Sequence, residues 1–176
     1  PPQIPPRAMI PCDVDAPHDE HIRLAGQFDR LGEKVSRGFL QVLNGAAVEI
    51  PEGQSGRIEL SQWLTDTDAG AGQLAARVNA NRVWHHLIGR GIVRTVDNFG
   101  ETGERPTHPE LLDHLAVNFQ KDGWSIKRLI RKMVLSHTYR MSSEFSKGHY
   151  AIEPGNESLW RMRQKRLDAE SLRDAM

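Results

Sequence analysis

The chain has 176 residues, and its 23 basic and 23 acidic side chains give a formal net charge of zero. That balance argues against general affinity for nucleic acid or for anionic membranes, while a local charged patch stays open. No apolar run approaches the ~18 residues of a membrane-spanning helix. The single cysteine, Cys12, excludes an intrachain disulfide and a cysteine-based zinc site.

The first part of the chain, residues 1–56, is predicted to be an extended arm followed by loops. Six prolines within residues 1–17 remove backbone donors and disfavour a helix. Two short runs, HIRLAG at residues 21–26 and GFLQVL at residues 38–43, indicate short strands. We therefore expect a small β-hairpin here, ahead of a helical domain over residues 57–176.

Helical periodicity dominates the second part of the chain. Residues 58–64 (IELSQWL) have apolar side chains at helical spacing, with Ser55 as the predicted N-cap. Residues 73–88 form the longest predicted helix, which Gly89 and Gly91 end. Apolar side chains cover more than half of its circumference, so this helix is expected to be central and packed on several sides.

Two more helices are predicted as antiparallel neighbours because the loop between them is short. Thr107 and Glu110 have the spacing of a capping box, and Gly123 ends the first of the two helices. Ser125 is predicted to cap the second, over residues 126–136.

After an irregular stretch over residues 137–155, Asn156 is predicted to cap a helix through SLWRMR, and a last helix is predicted to start near Leu167. The pattern as a whole predicts a mainly α fold, with about five or six helices in an irregular bundle.

Three polar residues fall inside the apolar arc of the longest helix. They are Arg77, Asn81 and His85, at spacing i, i+4, i+8. A buried polar group without a partner costs about 1–3 kcal/mol, so these residues must be paired with one another or with a neighbouring loop. We interpret them as a structural polar network, with Arg90 and Arg94 tying down the acidic loop that follows. A ligand pocket is the alternative.

The loop over residues 97–110 (DNFGETGERPTHPE) is rich in carboxylates and contains a histidine. Paired carboxylates can perform acid–base chemistry, as in glycoside hydrolases. Turns and helix caps use the same residue types without any chemistry. The candidate binding residues around this loop and the later basic segment are Asn98, Glu104, His108, His137 and Arg140.

Metal and nucleotide signatures are absent from the sequence. The adjacent His85 and His86 would point about 100° apart on a helix, and no histidine pair has the i, i+4 spacing of helical metal motifs. Neither GxGxxG nor GxxxxGK[ST] occurs. We therefore predict no metal site and no cofactor in this chain. Six basic residues against one acid within residues 121–140 leave an anion-binding stripe as a further alternative.

Three segments contain many short motifs in a fixed order. They read RVNANRVWHHLIGRGIVRTVDNFGETGERPTHPELLDHLAVNF, GWSIKRLIRKMVLSHTYRMSS and NESLWRMRQKRLDAESLRDAM. Together with PPRAMIP and SGRIELSQWL upstream, they resemble the planctomycete-type secreted domain of unknown function. That family has Trp-Gln-His where this chain has Trp84-His85-His86, which argues against a histidine-specific role for His85.

The resemblance implies an extracytoplasmic, mostly helical domain that packs against upstream domains of the same polypeptide. Such domains form the C-terminal part of large bacterial proteins that often carry cytochrome-c-like modules, so any haem would lie outside this chain. The resemblance also suggests a role with surface macromolecules or polysaccharides, and it supplies no catalytic residues. The chain begins without Met, and we expect it to be a piece of a longer protein.

Two hypotheses about function follow. The first is a non-catalytic interaction or scaffold domain of a multidomain secreted bacterial protein. The alternative is a carbohydrate-active hydrolase with a polar cleft around residues 98–140.

Overall fold

The computed structural model describes residues 12–43 and 48–176 of the chain. These residues contain six α-helices and one two-stranded antiparallel sheet, which confirms the mainly α prediction. Most of the predicted proline-rich arm lies outside the described residues. The chain divides into two compact units, with the boundary along the chain between Gly72 and Gln73. The division at residue 56 into an arm and a helical domain stays a prediction.

The first unit contains the hairpin. Strand β1, Glu20–Arg23, pairs antiparallel with strand β2, Leu31–Val35, in a register that places Glu20 opposite Val35. The prediction of a second strand at residues 38–43 is therefore wrong. A tight connection, with Ala25 at φ 54° and Gly26 at φ 72°, reverses the chain direction before residue 31. Residues 31–35 therefore pair with β1, and residues 38–43 do not.

Residues 38–43 have a different role from the one predicted. Gln41–Leu43 form a short 3-10 turn. Phe39 stacks on Trp63 with ring centroids 5.4 Å apart. Trp63 belongs to helix α1, Arg57–Thr65, which follows Gly56 at φ 84°. Glycine adopts this left-handed conformation without steric cost, so Gly56 is the N-cap and the prediction of Ser55 was wrong.

The second unit holds the remaining helices, of which the first starts at the unit boundary. Their bounds are α2 Gly72–Ile88, α3 Pro109–Lys121, α4 Ile126–Val134, α5 Lys147–Ile152 and α6 Ala169–Ala175. The long predicted helix and the predicted neighbours α3 and α4 are confirmed, whereas α5 falls in a stretch predicted to be irregular.

Helix caps agree with the sequence only where the partner is local. The Ser125 hydroxyl accepts a hydrogen bond from the backbone N–H of Arg128 at 3.4 Å, as predicted. The capping box of Thr107 and Glu110 is wrong, because His108 precedes α3 and makes no side-chain cap. The Thr107 hydroxyl instead donates to the carbonyl of Ile92 at 3.2 Å.

The predicted helix through SLWRMR is also wrong, since residues 157–163 are irregular. Asn156 adopts φ 51°, and its side chain binds the backbone of Arg161 on both sides. Its Nδ2 donates to the Arg161 carbonyl at 2.9 Å, and its Oδ1 accepts from the Arg161 N–H at 3.2 Å. The residue therefore closes a loop. The last helix begins two residues later than predicted, with Asp168 as its cap.

The core of the second unit is built on one face of α2. Ala76, Ala80, Trp84 and Ile88 recur every four residues and are buried. The small alanine side chains allow neighbouring elements to approach α2 closely. The partners from α3, α4 and the segment after α2 are Ile92, Val93, Leu112, Ala116, Phe119, Leu129 and Met133. In the described part of the chain, no helix is long and apolar enough to cross a membrane.

Adjacent residues of α4 allow a direct test of this core. Leu129 is 1% exposed and Ile130 is 37% exposed. We expect Leu129→Ala to lower the free energy of unfolding by about 2–5 kcal/mol, because it leaves a cavity in the core. Ile130→Ala should cost less than about 1 kcal/mol. Urea unfolding of the two variants measures the difference, and equal losses would contradict the packing described for α4.

Candidate functional site

The side chain of Asn81 joins helix α2 to the segment that follows it. Asn81 is fully buried. Its Nδ2 donates to the carbonyl of Val93 at 2.9 Å, and its Oδ1 accepts from the Val93 N–H at 2.9 Å. One amide side chain thus satisfies both polar groups of a buried residue, groups that would otherwise be costly to bury.

Gly91 makes this contact sterically feasible. A Cβ atom at residue 91 would clash with the Val93 carbonyl oxygen and lie 3.0 Å from Nδ2 of Asn81. The approach to the Val93 oxygen is closer than real Cβ contacts show, and the approach to Asn81 is unusually tight, so a larger residue would displace either the backbone or the amide. The sequence predicts that Gly89 and Gly91 end the helix. Gly91 has a second role, since it leaves room for the contact between Asn81 and Val93.

The other two members of the predicted polar network point elsewhere. Arg77 Nε donates to Asp113 Oδ1 of α3 at 2.7 Å, and both side chains are partly exposed. Nδ1 of His85 is buried and has no hydrogen-bond partner among the described residues. The described hydrogen bonds do not link Arg77, Asn81 and His85 to one another, and each faces a different neighbour.

Arg94 connects the acidic loop to the C-terminal segment. Its guanidinium forms an ion pair with Glu157. Its Nε also lies 3.6 Å from Oε2 of Glu104, which is an ion pair without a hydrogen bond. Arg90, by contrast, has no described ion pair or hydrogen bond. Of the two arginines, only Arg94 has a described ion pair with the acidic loop.

Arg90, Arg94 and Arg163 line one small cavity, and we name these three residues the arginine cluster. The cavity measures about 20 Å³, which is room for about one water molecule. Trp84 and His108 also line it. A cavity of this size can admit an atom or a small charged group, but it cannot enclose a sugar ring.

Arg163 is held at the cavity by the backbone. Its guanidinium donates to the carbonyl of Gly155 at 2.7 Å and to that of Asn156 at 3.1 Å. Its Nε is buried without a partner among the described residues. Burial lowers the pKa of Arg163, and the positive charge of Arg90 lowers this pKa further.

The five candidate binding residues lie along the loop before α3 and in the turn after α4. Asn98 organises a turn, with Oδ1 accepting from the Gly100 N–H at 3.1 Å. Glu104 lines a groove beside α2 and α3, whereas His108 lines the cavity of the arginine cluster. His137 and Arg140 lie together in the exposed turn after α4, where the Arg140 N–H donates to the His137 carbonyl at 3.1 Å.

Three residues that line the cavity are not among the binding residues predicted from the sequence: Asn156, Glu157 and Arg163. The run around Arg163 (WRMRQKR) has the composition of a solvated helix face, and its spacing carries no sign that it folds back on residues 90–94. The one local signal was Pro154-Gly155 before Asn156, a dipeptide typical of turns. In residues 12–43 and 48–176, no group of three or more His, Cys, Asp or Glu side chains is arranged to hold a metal ion.

Comparison with known proteins gives one match. The family described as "PSD1: Protein of unknown function (DUF1553)" matches residues 56–176. The matched region includes α1 to α6 and every residue of the arginine cluster. A comparison with curated proteins found no match, and a comparison with solved structures found none either.

The Asn81 contact is testable by substitution. We expect Asn81→Leu to lower the free energy of unfolding by at least about 2 kcal/mol, because the peptide groups of Val93 lose their partners while remaining buried. His86 is exposed on the same helix. His86→Ala should therefore change stability by about 0.5 kcal/mol or less. Chemical denaturation measures both values, and equal, small losses would refute the structural role of Asn81.

The second test concerns the close approach at Gly91. Gly91→Ala should lower the free energy of unfolding by about 1–3 kcal/mol, since the added methyl group has no room. Gly148, in α5, is the matched control, because a Cβ there would meet only the Ser146 hydroxyl at 4.0 Å. Gly148→Ala should be neutral or stabilising by up to about 1 kcal/mol. Thermal unfolding compares the two, and a neutral Gly91→Ala would rule out the steric constraint.

Proposed function

We propose that this chain, which belongs to the family of proteins of unknown function DUF1553 (PSD1), is a non-catalytic interaction domain of a larger extracytoplasmic bacterial protein. Its partner in this proposal is an upstream domain of the same polypeptide. The proposal places no cofactor in this chain. Its location and partner rest on the sequence resemblance to planctomycete-type secreted domains.

The observation that carries the proposal is an apolar surface on α4. Leu129 and Met133 of this helix are buried in the core, whereas Ile126 and Ile130, one turn apart, are 51% and 37% exposed. Val134 continues the same row and is partly buried. We name Ile126, Ile130 and Val134 the α4 stripe. Exposed rows of large aliphatic side chains are typical of surfaces that another protein covers.

The edge of the α4 stripe adds a charge preference. Lys127 and Arg131 follow Ile126 and Ile130 by one residue and are exposed. Neighbours on a helix point about 100° apart, so these cations border the stripe on one side. An apolar centre with a charged rim is the usual anatomy of a protein interface. The surface therefore suits a partner that offers apolar side chains flanked by carboxylates.

The polar candidates give little support for catalysis. Asn98 and Glu104 make contacts within the domain, and His137 and Arg140 lie in an exposed turn after α4. A glycoside hydrolase needs two carboxyl groups that face a substrate-sized cleft. The cavity at His108 measures about 20 Å³, far below that size. The separate groove beside α2 and α3 is larger, about 290 Å³, but its two carboxylates, Glu104 and Asp113, are paired with Arg94 and Arg77. No specific observation favours the hydrolase alternative.

Thiol labelling tests the docking surface directly. A Cys12→Ser background removes the native thiol, and Ile130→Cys then places one thiol in the α4 stripe. We expect maleimide to label this thiol at least about tenfold more slowly in the full-length polypeptide than in the 176-residue chain. A tenfold difference corresponds to about 1.4 kcal/mol of protection by the upstream domain.

Ile152→Cys in the same background is the matched control. Ile152 is 84% exposed and belongs to α5. Its labelling rate should be the same in both proteins. Equal rates for Ile130→Cys in both proteins would overturn the proposal, and slowing at both positions would indicate general shielding.

A further inference from the structure

The arginine cluster has more hydrogen-bond donors than the domain uses. Nε of Arg94 and Nε of Arg163 are buried and have no hydrogen-bond partner among the described residues. The guanidinium of Arg90 makes no described hydrogen bond or ion pair. Buried donors are satisfied in nearly all native structures, so such a concentration of free donors at one cavity calls for a partner.

The carboxylates near the arginine cluster also leave room for an anionic partner. Glu157 and Glu104 both pair with Arg94. Glu153 lies close enough to influence Arg163, but its two oxygens accept from the backbone N–H groups of Glu157 and Ser158, at 2.7 and 3.1 Å. Arg90 and Arg163 are therefore left without a hydrogen-bonded carboxylate, although they are near each other.

The size and shape of the cavity limit what can bind. About 20 Å³ accepts one or two oxygen atoms of a ligand but not its body. Guanidinium groups match pairs of oxygen atoms on carboxylates and on tetrahedral oxyanions, because their N–H donors lie in a fixed fork. Trp84 contributes an apolar wall, which strengthens electrostatic attraction by excluding water.

We infer that the arginine cluster binds a single carboxylate or sulfate group that projects from an anionic ligand. The group would accept hydrogen bonds from Arg90 and from Nε–H of Arg163, and it would compete with Glu104, 3.6 Å away, for Nε–H of Arg94. This site uses different residues from the α4 stripe, so it stands independently of the docking proposal.

The Nε–H groups of the arginines provide a direct readout by nuclear magnetic resonance. Sodium acetate, sodium glucuronate and sodium sulfate are titrated separately at constant ionic strength, balanced with sodium chloride. The Nε–H signals of Arg94 and Arg163 should shift and saturate. Saturation by acetate and glucuronate assigns a carboxylate ligand, whereas saturation by sulfate alone assigns a sulfate ester. Shifts that never saturate with any of the three salts would overturn the inference.

Two variants separate the site from general salt effects. Arg90→Gln removes a guanidinium that makes no described hydrogen bond or ion pair, and the anion affinity should fall at least about tenfold. Arg128→Gln removes an equal charge from the exposed face of α4 and should leave the affinity unchanged. Equal affinities in the two variants would overturn the inference.

A third variant covers the case in which Arg90→Gln fails to fold. Arg90→Lys keeps the charge but loses the planar fork, so saturation should persist with weaker affinity. Unchanged affinity in Arg90→Lys would refute the role assigned to the guanidinium.

Discussion

The second unit depends on one pair of hydrogen bonds, those between the Asn81 side chain and the backbone of Val93. The amide offers one donor and one acceptor in the arrangement that a neighbouring β-strand would offer. A helix face cannot otherwise satisfy the backbone of an irregular segment such as residues 91–93. Asn81 therefore allows residues 91–93 to be buried against α2 without forming a sheet.

Other contacts follow from the position of that segment. The Ile92 carbonyl is held where the backbone N–H and hydroxyl of Thr107 both reach it, which fixes the approach to α3. Arg94 comes next in the chain and is placed between Glu104 and Glu157. A single buried amide thus determines where the acidic loop and the C-terminal segment attach to α2.

Sequence reasoning succeeded where the determinants are local. The apolar period identified α2, α3 and α4, and Ser125 capped α4 because its partner, Arg128, lies only three residues away. The burial of Asn81 inside an apolar arc also followed from helical geometry. These features depend on neighbours along the chain, which the sequence displays directly.

Sequence reasoning failed where a group distant in the chain competes for the same side chain. The hydroxyl of Thr107 could cap α3, but the Ile92 carbonyl accepts its hydrogen bond instead. Phe39 could extend a strand, but stacking on Trp63 is the arrangement adopted. Arg163 resembled a solvated basic residue because nothing in its spacing reveals the fold-back onto Arg90. The candidate site was accordingly found only in part, through Arg90, Arg94 and His108.

The contact between Asn81 and Val93 and the contacts of the C-terminal segment also differ in how far apart their partners lie along the chain. Asn81 and Val93 are 12 residues apart, whereas the Lys165 amine donates to the His86 carbonyl across 79 residues. The entropy lost on closing a loop grows with its length, so the short connection forms at lower cost. During folding, the region from α2 to Val93 can therefore take shape first and serve as the template onto which the C-terminal segment condenses. In that order of folding, the arginine cluster would form last, because it needs both parts.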